Sequence, residues 1–208
     1  RAAGYRSGLY TSPFITCFNE RMQVNGEMIA DEELAEITEQ VKPHAEAMTD
    51  HPTEFELVTA IAMVYFARHA CDIVVLEVGM GGELDSTNVI DTPEAAVICN
   101  IGYDHMEVLG DTLEKIAQAK AGIIKGGDVV IYRGEDCVER VFEEKCAAVG
   151  AVLHRADFER LRLHSHSLYG QVFDCGERKK LELPLLGAHQ LKNAAVALAA
   201  IDVLTQKG

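Results

Sequence analysis

Three short apolar runs stand out along the chain, each ended by glycine or by a polar cluster: Asp72-Ile-Val-Val-Leu-Glu-Val-Gly79, Ala95 to Asn100, and Asp128 to Tyr132. Nearly continuous β-branched runs of this length predict strands buried on both faces of a sheet. A further strand is expected at Gly8 to Thr11. Between the runs the spacing turns helical. Asp31 is placed to cap a helix through Glu33 to Gln40, and Thr53 or a neighbour one that carries Phe55, Val58, Ile61, Ala62 and Tyr65. Thr112 is placed to cap another through Leu113, Ile116 and Ala119. This alternation, from residue 31 to 151, predicts an α/β fold with a mostly parallel sheet flanked by helices. From 151 to 183 polar and apolar residues alternate, as in Arg160-Leu-Arg-Leu-His-Ser-His166 and Gln171-Val-Phe-Asp174 around Tyr169-Gly170. That pattern predicts a small antiparallel hairpin laid on the sheet edge. Gln190 to Leu204, rich in alanine, reads as a closing helix.

Composition narrows the classes. The chain has 208 residues, 48% hydrophobic and 25% charged, with a formal net charge of −14. A chain of this length buries roughly 70 to 75% of its unfolded surface, enough for a core without metal or disulfide staples. One domain is the default and two small ones remain open. The acidic balance and the lack of any basic run argue against a general nucleic-acid binder. The best apolar run is interrupted by Glu77, so no membrane-spanning helix is expected, and no charged-then-apolar leader opens the chain. The six cysteines form no CxxC pair, which reads as reduced, mostly buried thiols in a cytoplasmic protein. The pattern begins in mid-stride and stops directly after a helix, as expected of a piece of a longer protein.

In doubly wound sheets ligands bind beyond the carboxyl ends of the strands. Here those positions hold Ser12-Pro13, then Glu77 with Gly79, Gly81 and Gly82, then Asn100-Ile-Gly-Tyr-Asp104-His105. A carboxylate inside an apolar strand is costly unless paired or bound to a cation, so Glu77 is either neutralised by an Arg or Lys or belongs to a site. The glycines beside it let backbone approach a ligand. His105 reads either as a satisfied core histidine or, with Glu77, as a ligand for Mg2+ or Mn2+. Lys120, in Ala-Gln-Ala-Lys-Ala-Gly, reads either as a snorkelling surface lysine or as one whose neutral amine burial makes available.

Several longer stretches coincide: GLYTSPFITCFNERMQVNG from Gly8, PTEFE from Pro52, EVGMGGELDSTNVID from Glu77, CNIGYDHMEVLGDTLEKIAQAKAGIIK from Cys99 and LLGAHQLKNAAVALAAI from Leu185. In this order they resemble the folylpolyglutamate synthase and dihydrofolate synthase family, a branch of the Mur ligase superfamily. The resemblance implies a three-layer α/β central domain of an ATP-dependent ligase. Such a ligase adds L-glutamate to dihydropteroate or to reduced folate through an acyl phosphate. It implies two Mg2+ ions, with Ser12 and Glu77 as ligands of the first and His105 holding the second near the γ-phosphate. Lys120 aligns with the family lysine that is carbamylated. Thr53, Phe55, Asp85 and Ser86 fall where the pterin-binding loops lie. Asn193 aligns with the residue at the adenine end of ATP, and Gln190 and His189 are further candidates there, with helix capping as their alternative.

The sequence departs from the family pattern at Phe14-Ile15, where His-Leu is usual, and at Glu83, where Arg is common. No GxxxxGK[ST] phosphate loop is present. The resemblance therefore implies that residues 1–208 are a truncated central domain, with the phosphate loop before them and a glutamate-ligase domain after. The full-length enzyme is expected to be a monomer and the isolated piece inactive and prone to self-association. The rival readings are a UDP-MurNAc-type Mur ligase, a cyanophycin-synthetase-like ligase, and a non-catalytic binding module.

Overall fold

In the computed structural model, which describes residues 1–207, the chain divides into two units, Arg1–Val89 and the part from Ile90 onward. The first is built on a four-stranded sheet. Strand β1 (Ser7–Tyr10) pairs antiparallel with β2 (Met22–Val24), which pairs antiparallel with the two-residue β3 (Glu27–Met28). Between β2 and β3 the chain turns on Asn25 and Gly26, both at positive φ (54° and 82°). Asn-Gly is the pair that a two-residue hairpin of this hand favours. Helices α1 (Asp31–Glu46) and α2 (Glu54–Arg68) follow, and the chain returns to the other side of β1 as β4 (Ile73–Leu76), parallel to it with Tyr10 opposite Leu76. The core between sheet and helices holds Tyr10, Met22, Ile29, Ile37 and Ala62, all essentially fully buried.

Local chemistry sets the helix starts. Thr53 caps α2: its hydroxyl accepts the Glu56 N–H while the Glu56 carboxylate accepts the Thr53 N–H at 2.7 Å, a reciprocal box that satisfies two orphan donors. Asp31 is the first helical residue of α1 rather than its cap, the capping position being Ala30. Its carboxylate still belongs there, in a first turn with Glu32 and Glu33 that complements the helix dipole.

The second unit is a three-layer sandwich. Strands β5 (Ala95–Ile98), β6 (Asp128–Ile131) and β7 (Val152–Arg155) form a parallel sheet in that order. The helices are the single-turn α3 (Met106–Leu109), α4 (Leu113–Lys120), α5 (Asp136–Val149) and α6 (Ala188–Lys207). Alternation along β6 assigns the layers. Val129 and Ile131 pack with Ala117, Phe142 and Cys146 of α4 and α5, while Val130 packs with Val196 and Val203 of α6. A separate antiparallel sheet, β8 (Leu161–Ser167), β9 (Gly170–Cys175) and β10 (Arg178–Leu183), precedes α6.

The α/β class and its parallel strands agree with the sequence pattern, and four details differ. The run from Asp72 to Gly79 is a strand only over Ile73–Leu76, and Val75 is 58% exposed. None of its four residues is fully buried, so it is not a strand buried on both faces, and among the described residues it is bonded to β1 alone. Residues 151–183 hold a parallel strand, β7, and three antiparallel strands in their own sheet, where one hairpin on the sheet edge was expected. The last helix begins at Ala188, two residues before Gln190. Of the cysteines only Cys146 is fully buried; Cys17 and Cys99 are exposed. No helix among the described residues is long and apolar enough to cross a membrane.

Candidate active site

Parallel strands β1 and β4 end side by side, and the chain leaving each carries a predicted site residue. The Ser12 N–H donates to Oε2 of Glu77 at 2.8 Å, and the Glu77 N–H donates to the Tyr10 carbonyl at 3.0 Å. Glu77 is exposed and lies just past β4, so the cost of a carboxylate inside an apolar strand does not arise. Its Oε1 and the Ser12 hydroxyl have no other protein partner among the described residues. A serine hydroxyl and a carboxylate oxygen are hard donors of the kind that bind Mg2+ in company with phosphate and water. The residues present therefore fit that ion. No group of three or more His, Cys, Asp or Glu side chains gathers among the described residues to form an all-protein metal cage.

Next to Glu77, Gly79 lets two loops meet. A Cβ there would stand 2.5 Å from the Phe55 ring and 3.2 Å from Oδ2 of Asp85. Phe55 lies in the first turn of α2, and its ring centroid is 6.1 Å from that of Tyr10. Asp85 braces its own loop: Oδ2 accepts the Met80 N–H at 2.9 Å, and Oδ1 accepts both the N–H and the hydroxyl of Thr87. Ser86 lies 2.9 Å from the Thr59 hydroxyl. The structure thus brings Phe55, Asp85 and Ser86 together. It gives Thr53 a capping role that takes up its hydroxyl, whose hydrogen goes to Glu56 at 2.8 Å. Glu83 is exposed, its carbonyl accepting from the Asn88 side chain at 3.2 Å.

Sequence reasoning missed three residues here. Thr59 and Tyr10 were not singled out in the sequence, and both are buried hydroxyl bearers in this cluster. Arg21 lies with its guanidinium 5.4 Å from the Phe14 ring centroid and 5.6 Å from that of Phe18, and its buried Nε has no hydrogen-bond partner. Phe14 thus has a use in this chain, forming with Phe18 an edge-to-face pair that cations favour. Burial pushes the Tyr10 phenol up, against the opposing effects of the Thr59 hydrogen bond and the Arg21 charge.

In the second unit His105 caps α3 in a left-handed conformation (φ 49°, ψ 37°), its N–H donating to the Asp104 carboxylate at 2.9 Å. The ring is exposed, with Nε2 3.7 Å from Asp104. Its exposure removes the buried-histidine reading. Lys120 is the last residue of α4, half-buried, and its side chain has no hydrogen bond or ion pair among the described residues. Among the described residues no hydrogen bond or ion pair joins its side chain to His105. Asn193 and Gln190 meet in the first turns of α6, the Asn193 amide donating to Gln190 Oε1 at 3.1 Å. His189 folds back over Gly187, whose positive φ (102°) and missing side chain make room for the ring.

Known proteins resemble this chain along nearly all of its length. The chain is 39% identical to the dihydrofolate synthase/folylpolyglutamate synthase of Bacillus subtilis (strain 168), over 99% of its own length and 50% of that protein's. Among solved structures, the apo form of L. casei FPGS superposes with a TM-score of 0.92 at 38% identity, covering 99% of this chain and 52% of that one. An FPGS-AMPPCP-folate complex does so with a TM-score of 0.89 at 38% identity, covering 99% and 52%. The chain spans about half the length of the curated relatives it matches. The Mur ligase middle domain pattern matches residues 27–201, and the chain belongs to the Mur ligase family through that domain.

Proposed function

We propose that this chain is the central domain of a longer cytoplasmic, monomeric, ATP-dependent ligase that joins L-glutamate to dihydropteroate or to the γ-carboxylate of a folate. The observation that carries the proposal is the Ser12 to Glu77 contact of 2.8 Å at the carboxyl ends of adjacent parallel strands, next to the Phe55, Asp85 and Ser86 cluster. The printed identity of the relatives, and a related structure holding AMPPCP and folate, support the choice of substrates.

In the reaction a carboxylate oxygen of the acceptor attacks the γ-phosphorus of ATP and the bond to ADP breaks, giving an acyl phosphate. The amine of glutamate then attacks the acyl carbon, loses a proton, and inorganic phosphate leaves. Both steps concentrate negative charge on oxygen, and Mg2+, when bound, supplies the opposing charge. Ser12 and Glu77 would hold one ion and His105 a second. Lys120, its side chain free of ion pairs among the described residues, is suited to accept CO2 on its neutral amine and to become an anionic carbamate. Phe55 offers a ring face to the pterin, and Asp85 and Ser86 offer acceptors to its N–H groups. Asn193, with Gln190 and His189, would face the adenine end of ATP.

The test is incorporation of labelled glutamate by the full-length protein, with dihydropteroate and tetrahydrofolate as separate acceptors. ATP-dependent incorporation into either, with release of ADP, is the expected result. Incorporation only into a UDP-muramoyl acceptor, or into none, would overturn the assignment.

A further inference from the structure

Thr59, on α2, is 3% exposed, and none of the chemistry above uses it. Its hydroxyl is the meeting point of three contacts: the Phe55 carbonyl at 2.7 Å, the Tyr10 hydroxyl at 3.1 Å and the Ser86 hydroxyl at 2.9 Å. A hydroxyl has one hydrogen and two lone pairs. A carbonyl can only accept, so the hydrogen of Thr59 goes to Phe55, the local i to i−4 bond that threonine makes in helices. The two lone pairs must then receive hydrogens from Tyr10 and Ser86. Ser86 has no second hydrogen, so its oxygen offers only lone pairs to anything else that approaches.

Asp85 is spent in the same sense. Three of its four acceptor positions take the two hydrogens of Thr87 and the Met80 N–H, and one remains. Two consecutive residues therefore present acceptors and no donor, beside the ring of Phe55. Tyr10 closes the inner end of the chain, fully buried, its hydrogen given to Thr59.

We propose that Thr59 is a positioning residue that fixes the polarity of this loop, so that the loop selects a flat nitrogen heterocycle by N–H donors aimed at Asp85 and Ser86. A heterocycle presenting only acceptors on that edge would meet lone pair with lone pair and be refused. The inference rests on the proposed reading that this loop holds the acceptor substrate.

The test uses the full-length protein and the steady-state constants for acceptor and ATP. Thr59→Val removes the hydroxyl at almost constant volume and frees the Ser86 hydrogen to turn outward. The acceptor KM should rise about fivefold, as for one net hydrogen bond, with the ATP KM unchanged, and Thr59→Ser should restore it. Ser86→Ala, on a half-buried loop residue, should give a similar rise, and adding Thr59→Val to it should cause no further rise. An unchanged acceptor KM in Ser86→Ala, or additive effects in the double variant, would overturn the proposal, the first of these independently of whether Thr59→Val folds. Phe55→Ala separates the two claims. If its acceptor KM is also unchanged, the reading of the loop as the acceptor site falls; if it alone rises, only the role of Thr59 falls.

Discussion

At the scale of single residues the candidate site is organised by what one position lacks. Gly79 stands where the Phe55 ring and the Asp85 carboxylate converge, and any side chain there would overlap the ring at 2.5 Å. Gly79→Ala should therefore displace Phe55, raising the acceptor KM more than tenfold and costing about 1 to 3 kcal/mol of stability through overpacking. Kinetics with paired thermal melts check this, and an unchanged KM would show that the ring is not where the substrate rests. The capping role of Thr53 makes a separate claim on stability alone. Thr53→Ala should lower stability by about 1 kcal/mol, read from denaturant midpoints. Asp85 and Ser86 were legible because they lie in a long contiguous motif, and Phe55 because it lies in the short PTEFE stretch that precedes that motif in family order. Thr59 and Tyr10 were not, because a buried hydroxyl on an apolar face has the same periodicity as its neighbours, and its partners lie 49 and 27 residues away.

At the scale of elements, legibility followed length and local chemistry. The helices with a threonine cap, α2 and α4, begin where the sequence places them, because the cap satisfies N–H groups with side chains close in the chain. Strands β2 and β3, of three and two residues, left no run to read, although Asn25-Gly26 marked their turn. Strand β7 was absorbed into the alternating region because parallel pairing is decided by β6, which supplies its partner far along the chain. The start of β6 also anchors the end of α6. Asp128 accepts from His154 at 2.7 Å and pairs with Lys207 at 3.1 Å, and Lys207 also reaches the Glu94 carbonyl at 2.6 Å. The hydrogen bond from His154, then that from Lys207, hold the Asp128 carboxyl below its usual range. A depressed carboxyl contributes stability that is present above its unfolded value of about 3.9 and lost as the pH falls through the native value. Lys207 is shifted up, chiefly by Asp128, so its contribution is complete below the unfolded value of about 10.4 and lost as the pH rises through the native one. Asp128→Asn should accordingly melt below the parent at pH 7, with the gap closing as both are acidified below about pH 4. Melting curves across pH measure it, and a gap that persists in acid would mean that charge is not what Asp128 contributes.

At the scale of the whole molecule the argument turns on charge. On the proposed reading ATP would bring its phosphates to a chain with a formal net charge of −14, and phosphate binding in water-exposed sites depends on concentrated cationic and N–H donors. The 208 residues contain no GxxxxGK[ST] loop to provide a lysine and a cradle of backbone N–H groups. What they do offer is distributed. On the proposed reading Ser12 and Glu77 would act only through a bound cation, His105 is one exposed imidazole, and Asn193 would be an uncharged contact. Acting alone, none of these supplies the several opposing charges that a transferring phosphoryl group needs. The 208-residue polypeptide should therefore fold, by the criterion of a cooperative melt, yet show no saturable ATP binding in the micromolar range by titration calorimetry and no glutamate ligation. Exposed apolar side chains in both units, such as Val75, Leu84 and Val89 in the first and Val108 in the second, predict that it also associates as its concentration rises. Light scattering over a concentration series tests the association, and a strict monomer would contradict it. ATP-dependent ligation by the 208 residues alone would contradict the larger claim, that this domain holds the acceptor and the metal ligands while the charge that meets ATP comes from elsewhere in the protein.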